Sequence, residues 1–401
     1  MIVRRERSRV RLQAADLNMN LYLLVSGDFA PHGGMDHPNH ALAAYLAEQP
    51  DTEVHLVAHR VEAGLAAHPA VRTHLAPRPL DRDWLGMGAL DRLGRRWARR
   101  LEPRGARVIV NGGNCRWGDV NWVHYVHAAY AAPARGWLRG GWQRWKHRRF
   151  LRDERRVLPL ARCLLANSER TRRDLIGHLA IPADRIQVVY YGCDPALRPP
   201  AEAERQTARR ELGWPEDRLQ ALFIGALGDG RKGFDRLFAA WQRLGPAWDV
   251  DLRAAGRGAE LDYWRRQAQA AGMHNRIQML GFRRDIPRLM AAADLLVAPV
   301  RYEAYGLAVQ EALCRGVPAL VSRNAGVAER YPPELASLLW TESDSPDSLA
   351  EALARWRPQA GALRRKTLAW SAELRRHDWR AMAAQILAGL NARPARGASL
   401  P

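Results

Sequence analysis

The stretch from Asp294 to Pro318 constrains this chain more than any other part of it. A short apolar run, Leu295-Leu296-Val297-Ala298, is stopped by Pro299 and reads as a buried strand of a parallel sheet. A polar turn covers Arg301 to Gly306. Leu307, Ala308, Ala312 and Leu313 then keep helical spacing until Gly316 and Pro318 end it. Strand, loop and helix in that order belong to an α/β fold. The loop carries Glu303 and the helix carries Glu311. The first helical amides, from Gly306, Leu307 and Ala308, lack partners inside the helix and lie at the positive end of its dipole. The turn therefore predicts an anion site with one carboxylate before it and one behind it. A merely solvated face would show the same two glutamates, and spacing alone leaves both readings open.

The rest of the chain repeats the unit. Leu21 to Val25 reads as a strand, Gly27 to Gly34 as a loop, Asp36 to Glu48 as a helix and Glu53 to Ala58 as a second strand, the opening of a doubly wound sheet. Gly33-Gly34 at the helix entrance lets a ligand approach the backbone closely. Further strands are expected at Val71–Leu75, Val108–Val110, Asn121–His127, Ala161–Asn167 and Arg185–Tyr190, with Ser168 capping a helix through Leu179. His127 falls at a strand's carboxyl end, where α/β sheets bind ligands. His124 and His127 are three apart on that strand and face opposite sides, so they cannot grip one metal. Pro199 to Pro215 reads as a linker region with a charged helix from about Ala203 to Leu212. A second series follows: strands at Leu219–Leu227, Val250–Ala255, Arg276–Leu280, Asp294–Ala298 and Val317–Val321, and a helix at Phe234–Leu244. Gly256-Arg257-Gly258 lacks a third glycine and reads as turn chemistry. Residues 1–18 are arginine-rich and have no apolar signal core. They are expected to be a disordered extension ahead of a natural start at Met19, and the tail from 392 is expected to be disordered too.

Charge and cysteine use narrow the function classes. Lys+Arg number 62 and Asp+Glu 42, a net charge of +20, and lysine occurs only at 146, 232 and 366. A partner or substrate that is acidic is implied: anionic lipid, nucleic acid or a phosphorylated molecule. Cys115, Cys163, Cys193 and Cys314 are scattered without a CxxC pair, so they read as free thiols, with neither a zinc site nor a disulfide frame. No apolar run is long enough to span a bilayer. The Gly140–Leu158 segment sets Trp142 and Trp145 beside Lys146, Arg148, Arg152 and Arg156. It reads either as an interfacial helix on anionic lipid or as a helix with its tryptophans packed inward.

The string Pro299-Val300-Arg301-Tyr302-Glu303-Ala304-Tyr305-Gly306-Leu307, continued by Glu311-Ala312-Leu313-Cys314-Arg315-Gly316-Val317-Pro318, resembles the glutamate, seven residues, glutamate motif of retaining glycosyltransferase family 4. Ala304 stands where that family has glycine, and Tyr305 where phenylalanine is common. Arg231-Lys232-Gly233 resembles the family's R-x(n)-K-G element, but the arginine that normally follows the first strand's glycine is Ala226 here. Tyr191-Gly192-Cys193-Asp194-Pro195 is similar to the string that ends the family's first domain.

The resemblance implies an α/β architecture of GT-B type, two Rossmann-like doubly wound domains facing a cleft. Residues 19–198 would be the acceptor domain, 199–375 the nucleotide-sugar domain, 376–391 a helix crossing back, and 392–401 a tail. It implies retaining transfer of a sugar from a nucleotide-sugar donor to a glycan, lipid-linked or small-molecule hydroxyl acceptor, with no metal and no other cofactor. The catalytic set would be Glu303, His127 and Lys232. Lys232, Arg231 and the amides of Gly306, Leu307 and Ala308 would hold the donor diphosphate. Glu311 would take the ribose hydroxyls and Glu303 those of the transferred sugar, with His127 at the same sugar. Gly33 and Gly34 would face the phosphates and acceptor, and Phe282 would lie near the base. The expected location is cytoplasmic, with an anionic inner membrane face as a further partner if the Trp142/Trp145 helix binds lipid. No nucleic-acid partner is expected. The alternatives are a basic nucleic-acid-binding protein, for which no known module is found, a sugar-nucleotide epimerase on the same architecture, and an inactive scaffold.

Overall fold

The computed structural model describes residues 19–131, 137–228, 230–341 and 345–392. Two parallel sheets organise them. The first has seven strands, in chain order Asn20–Val25, Thr52–Ala58, Val71–Leu75, Arg107–Asn111, Val120–Val123, Cys163–Ala166 and Ile186–Val188. The second has six: Leu219–Ile224, Val250–Ala255, Ile277–Gly281, Leu295–Ala298, Ala319–Ser322 and Leu339–Trp340. Across each sheet the third strand is followed by the second, the first, the fourth and then the rest in order. The strand order thus reverses between the first and fourth strands, which run parallel, and ligands of such sheets bind outside the carboxyl ends at that reversal. Register fixes the centre of each sheet: Leu24 lies opposite Leu56 on one side and Ile109 on the other, and Leu222 lies opposite Leu296. Leu23, Leu24, Val25, Leu296 and Val297 are all buried, as strands covered by helices on both faces require.

Each sheet has a buried aspartate just ahead of an inner strand. Asp119 accepts the Val108 amide at 2.9 Å and the Arg107 and Arg162 guanidiniums at 3.3 and 2.6 Å. Asp294 accepts the Gln220 amide at 2.7 Å and pairs with Arg205 and Arg209 of the helix Glu202–Leu212. That helix is thereby fixed to the second sheet, since breaking such a pair would strand a buried charge.

Several expected strands are shorter than read from the sequence, and two elements differ most. The strand expected to reach His127 stops at Val123, and His127 opens a short 3₁₀ turn. Glu154 takes the His127 and Ala128 amides at 2.8 and 2.9 Å, removing the donors that a longer ladder would need. Between Leu65 and Arg104, where no helix is expected, Asp83–Leu101 is helical and buries Leu90, Ala98 and Leu101. Glycines at 86, 88 and 94 mask its periodicity. Gly94 is there for closeness: a Cβ would come within 2.9 Å of Cys115 Sγ and 3.0 Å of Val25.

The chain leaves the first domain through Gly192-Cys193 and returns through His377-Asp378. These crossings touch: the Cys193 amide donates to the His377 carbonyl at 3.1 Å. A Cβ on Gly192 would lie 2.4 Å from the Asp378 carbonyl oxygen. The final helix, Trp379–Asn391, buries Met382, Ala383, Ile386 and Leu390 in the first domain's core against the helix Asp36–Ala47. Among the described residues no helix is long and apolar enough to cross a membrane.

Candidate functional site

Two loops of the second domain lock together at the carboxyl ends of its strands. Gly233 ends the short turn Gly230–Lys232 with φ of +71°, and a Cβ there would lie 1.9 Å from the Pro299 carbonyl oxygen. Only glycine permits that approach. The Arg301 amide donates to the Arg231 carbonyl at 2.8 Å, and the Arg301 guanidinium binds Asp235 at 2.7 and 2.8 Å. This closure brings Lys232 Nζ onto the Glu303 carboxylate, while Arg231 reaches the same oxygen at 3.1 Å and the Tyr302 carbonyl at 3.2 Å. Burial alone would push the Glu303 carboxyl up; the two cations beside it hold it below the usual range, so it is ionised.

Gly306 follows with φ of +116°, and a Cβ would meet Val327 at 2.9 Å. It starts the helix Leu307–Cys314 without any side-chain cap, leaving the first amides unmatched within the helix. Lys232, Glu303, Gly306, Leu307 and Ala308 line one small pocket. Glu311 lies one turn further along the helix and is not among the pocket's lining residues. Burial, with Asp194 as a like-charged neighbour, pushes its carboxyl up to about 7. Among the described residues no three of His, Cys, Asp or Glu converge to hold a metal ion.

The same loop also builds the seam with the first domain. Tyr302 lies edge-on to Tyr125 at 5.0 Å, under the Arg170 guanidinium at 4.8 Å, and its hydroxyl accepts the Val126 amide at 3.3 Å. The Ala304 carbonyl accepts the Ser168 hydroxyl at 2.6 Å. Ala304 keeps a negative φ, so alanine costs nothing where glycine is usual. Tyr305 packs on Tyr191 at 4.8 Å, and its hydroxyl donates to Gln310. Arg330 donates to both the Tyr305 hydroxyl and Gln310, at 3.1 and 2.8 Å. Gln310 in turn donates to the Gly192 carbonyl at 2.7 Å. Glu329 takes the Glu169 and Arg170 amides at 2.6 and 3.1 Å, capping a first-domain helix from across the seam.

On the first-domain wall, His127 stacks on Phe150 at 4.7 Å and lies 4.8 Å from Tyr125. Burial, helped by His147 and Lys146, lowers its imidazole to about 4, so the ring is neutral near pH 7. Tyr125 carries the Arg231 guanidinium 5.7 Å above its face, which joins His127's neighbourhood to Glu303. His124, given no site role from the sequence, is half-buried in a polar nest with Asn39, Asn111 and Tyr191, and desolvation lowers its imidazole to about 3.

Gly33 and Gly34 lie in the exposed loop before the helix Asp36–Ala47. Among the described residues no hydrogen bond or ring contact ties them to Lys232 or Glu303. Phe282 is 61% exposed beyond the strand Ile277–Gly281, with the Arg257 guanidinium 5.3 Å from its ring. The residues missed from sequence are those of the seam. Alternation along an extended loop, which sends Glu303 one way and Tyr302 and Ala304 the other, is the signal that would have found them.

Residues 32–197 match the family model described as Glycosyltransferase Family 4, and residues 204–366 match the one described as Glycosyl transferases group 1. A D-inositol 3-phosphate glycosyltransferase of Salinispora arenicola is 30% identical over 278 residues, covering 65% of this chain and 60% of that one. The O-antigen chain mannosyltransferase B of Escherichia coli is 31% identical over 181 residues, 43% of this chain and 46% of that one. The chain spans about half the length of the curated relatives it matches. Among solved structures it resembles WaaG, a glycosyltransferase involved in lipopolysaccharide biosynthesis, with a TM-score of 0.70 at 22% identity over 94% of this chain and 100% of that one. It also resembles HepE of Anabaena, solved with UDP and glucose, with a TM-score of 0.68 at 19% identity over 94% and 100%. The fold is GT-B.

Proposed function

The chain belongs to glycosyltransferase family 4, and we propose that it transfers a hexose from a nucleotide-sugar to a hydroxyl acceptor, with retention of configuration and without a bound metal. The observation that carries this reading is the meeting of Lys232, Arg231 and Glu303 beside the free amides of the Gly306–Ala308 turn. Breaking a glycosyl–phosphate bond leaves a diphosphate of growing negative charge, and fixed donors aimed at that charge lower the barrier. Lys232 has three N–H donors and gives one to Glu303, so two remain for phosphate oxygens. Arg231 stands in this loop where Ala226 offers no charge, and it takes the second cationic place. Glu303, ionised between them, accepts hydroxyls of the transferred sugar. Glu311 accepts those of the ribose. Neutral His127 serves the same sugar from the first domain, and Gly33, Gly34 and Phe282 border the phosphates and the base. Glu303 is the one carboxylate among the described residues that line the pocket, which leaves no pair for a double displacement, so the leaving phosphate takes the acceptor's proton on the face it departs from.

The relatives support a hexose and a diphosphate donor: their names include a mannosyltransferase, and the Anabaena protein was solved with UDP and with UDP-glucose. A cytoplasmic protein at the inner membrane face fits Trp142 and Trp145, which are 46% and 51% exposed on a basic helix. Co-sedimentation with anionic vesicles that falls as salt rises is the expected result there, and binding indifferent to lipid charge refutes it.

A thermal-shift screen over UDP-, GDP- and ADP-sugars tests the donor, with one sugar family expected to stabilise the protein. The anomer of the product, read by NMR in the presence of EDTA, tests retention and metal independence. Stabilisation by none of the donors sinks the reading.

A further inference from the structure

The helix Trp137–Val157 carries a row that the proposed transfer does not use. Trp142, Lys146, Phe150 and Glu154 are spaced four residues apart, so they form one ridge, which rises about 18 Å along the helix at 1.5 Å per residue. Its inner end is fixed, because Glu154 holds the His127 and Ala128 amides. Its outer end is exposed, where Trp84 meets the rings of Trp142 and Trp145 edge-on at 6.5 and 6.4 Å. Between the ends, Lys146 Nζ lies 5.5 Å from the Trp142 ring and 5.5 Å from the Phe150 ring. Phe150 stacks on His127, His127 meets Tyr125, and the Tyr125 face carries Arg231, which binds Glu303. An unbroken line of contacts therefore runs from the outer tryptophans to the carboxylate beside the donor pocket.

We propose that this ridge is the acceptor's track and that the acceptor is an anionic amphiphile, such as a lipid-linked saccharide phosphate. Its apolar part lies on Trp142, its negative group on Lys146, and its saccharide end on Phe150 and Tyr125. The assignment of direction rests on the glycosyltransferase reading above. The chemistry of the ligand rests on the row itself.

Lys146 is one of three lysines in the chain. Among the described residues no carboxylate pairs with it: Asp153 of the same helix is taken by Arg149 and Arg152, and Glu154 by the two amides. Lys146 and His147 both lie close enough to His127 to favour its neutral ring. An ammonium flanked by two aromatic faces keeps its N–H donors for an anion. Aromatic rings bind both acyl chains and the apolar faces of sugars, so one row serves both ends of such a molecule. A small soluble sugar phosphate on Lys146 and Phe150 would not extend to Trp142.

The test is a titration of the full chain, read by tryptophan fluorescence and calorimetry. The probes are dodecyl phosphate below its micellar concentration, dodecyl maltoside and inorganic phosphate. Dodecyl phosphate is expected to bind at least roughly tenfold more tightly than dodecyl maltoside, one kcal-scale contact converted at about 1.4 kcal/mol per decade. Lys146→Met abolishes that preference, Lys146→Arg keeps it, and Phe150→Ala weakens both detergents. Equal affinity for the two detergents, or a preference that survives Lys146→Met, overturns the proposal. Inorganic phosphate binding as tightly as dodecyl phosphate reduces the site to an ion site and overturns it. Binding to phosphatidylglycerol vesicles but not to monomeric dodecyl phosphate makes the helix a membrane anchor and overturns it as well. The donor thermal shift, run on the same variants, is expected to be unchanged by Lys146→Met. If the unmodified chain shows no donor shift, the transfer reading fails alone, and the detergent series still decides what the ridge binds.

Discussion

Asp119, ahead of the fifth strand of the first sheet, and Asp294, ahead of the fourth strand of the second, play the same part: each takes an amide near the start of the neighbouring strand and binds two arginines. They differ in what surrounds them. Arg205 and Arg209 are both buried around Asp294, whereas Arg162 beside Asp119 is 39% exposed. The same contrast holds at the opposite edge. The second domain's loops are locked through Gly233, Pro299, Arg301 and Asp235. The first domain's wall is a long helix tied by Glu154 to two amides at its inner end and by ring contacts of Phe150, Trp142 and Trp145 along the rest. Under the transfer proposed above, a diphosphate of one shape would meet the interlocked loops, and an acceptor that differs from enzyme to enzyme would meet the surface that can be rebuilt without disturbing them.

The sharpest way to break this comparison is to remove each aspartate. Asp294→Ala strands two buried guanidiniums and is expected to cost about 3–5 kcal/mol of unfolding free energy. Asp119→Ala should cost less, about 1–3 kcal/mol, because Arg162 keeps its water. Calorimetry of the two variants checks the order, and an equal or inverted pair defeats the contrast. Next in size is Lys232→Ala, expected to lower kcat by about a hundredfold, or ~3 kcal/mol of barrier. Steady-state kinetics at saturating acceptor measure it, and near-normal turnover takes Lys232 out of the reaction.

A pH titration sharpens the comparison within the donor site. Glu311 has its carboxyl raised to about 7, so it is mostly neutral at pH 6 and mostly ionised at pH 8. Ribose hydroxyls donate to the ionised form, so donor affinity should rise with pH by about tenfold across that interval. Glu311→Gln should flatten the curve; calorimetry showing the same slope in the variant removes Glu311 from the ribose. The smallest effect is expected from Tyr305→Phe, which deletes the hydroxyl shared with Gln310 and Arg330 and should cost about 1 kcal/mol. A denaturant midpoint unchanged by that substitution would mean that the phenylalanine usual at this position serves equally well.

The second domain's loops were legible because their chemistry is local: Arg231-Lys232-Gly233 and Glu303 to Pro318 are unbroken strings whose glycines and glutamates keep fixed spacing. The first domain's wall was less so. His124 meets Asn39, Asn111 and Tyr191 across long stretches of chain, and nothing in one sequence announces that meeting. The Asp83–Leu101 helix was hidden by glycines that a close approach demands. Arg205 and Arg209 lie in a segment read only as a charged helix, and arginine is usually exposed. Their spacing of four, and a lone aspartate opening a strand, are the cues for a buried clasp. Phe282 shows the reverse: placed by a turn after a strand, it lies exposed with Arg257 above it.

The two crossings between the domains meet at one spot, Cys193 against His377 and Gly192 against Asp378. Bodies joined twice at the same place can swing about that pin but cannot drift apart or slide past each other. Any opening between these lobes is therefore that of a door, small near Gly192 and larger with distance from it. Any side chain added at 192 would wedge the jamb.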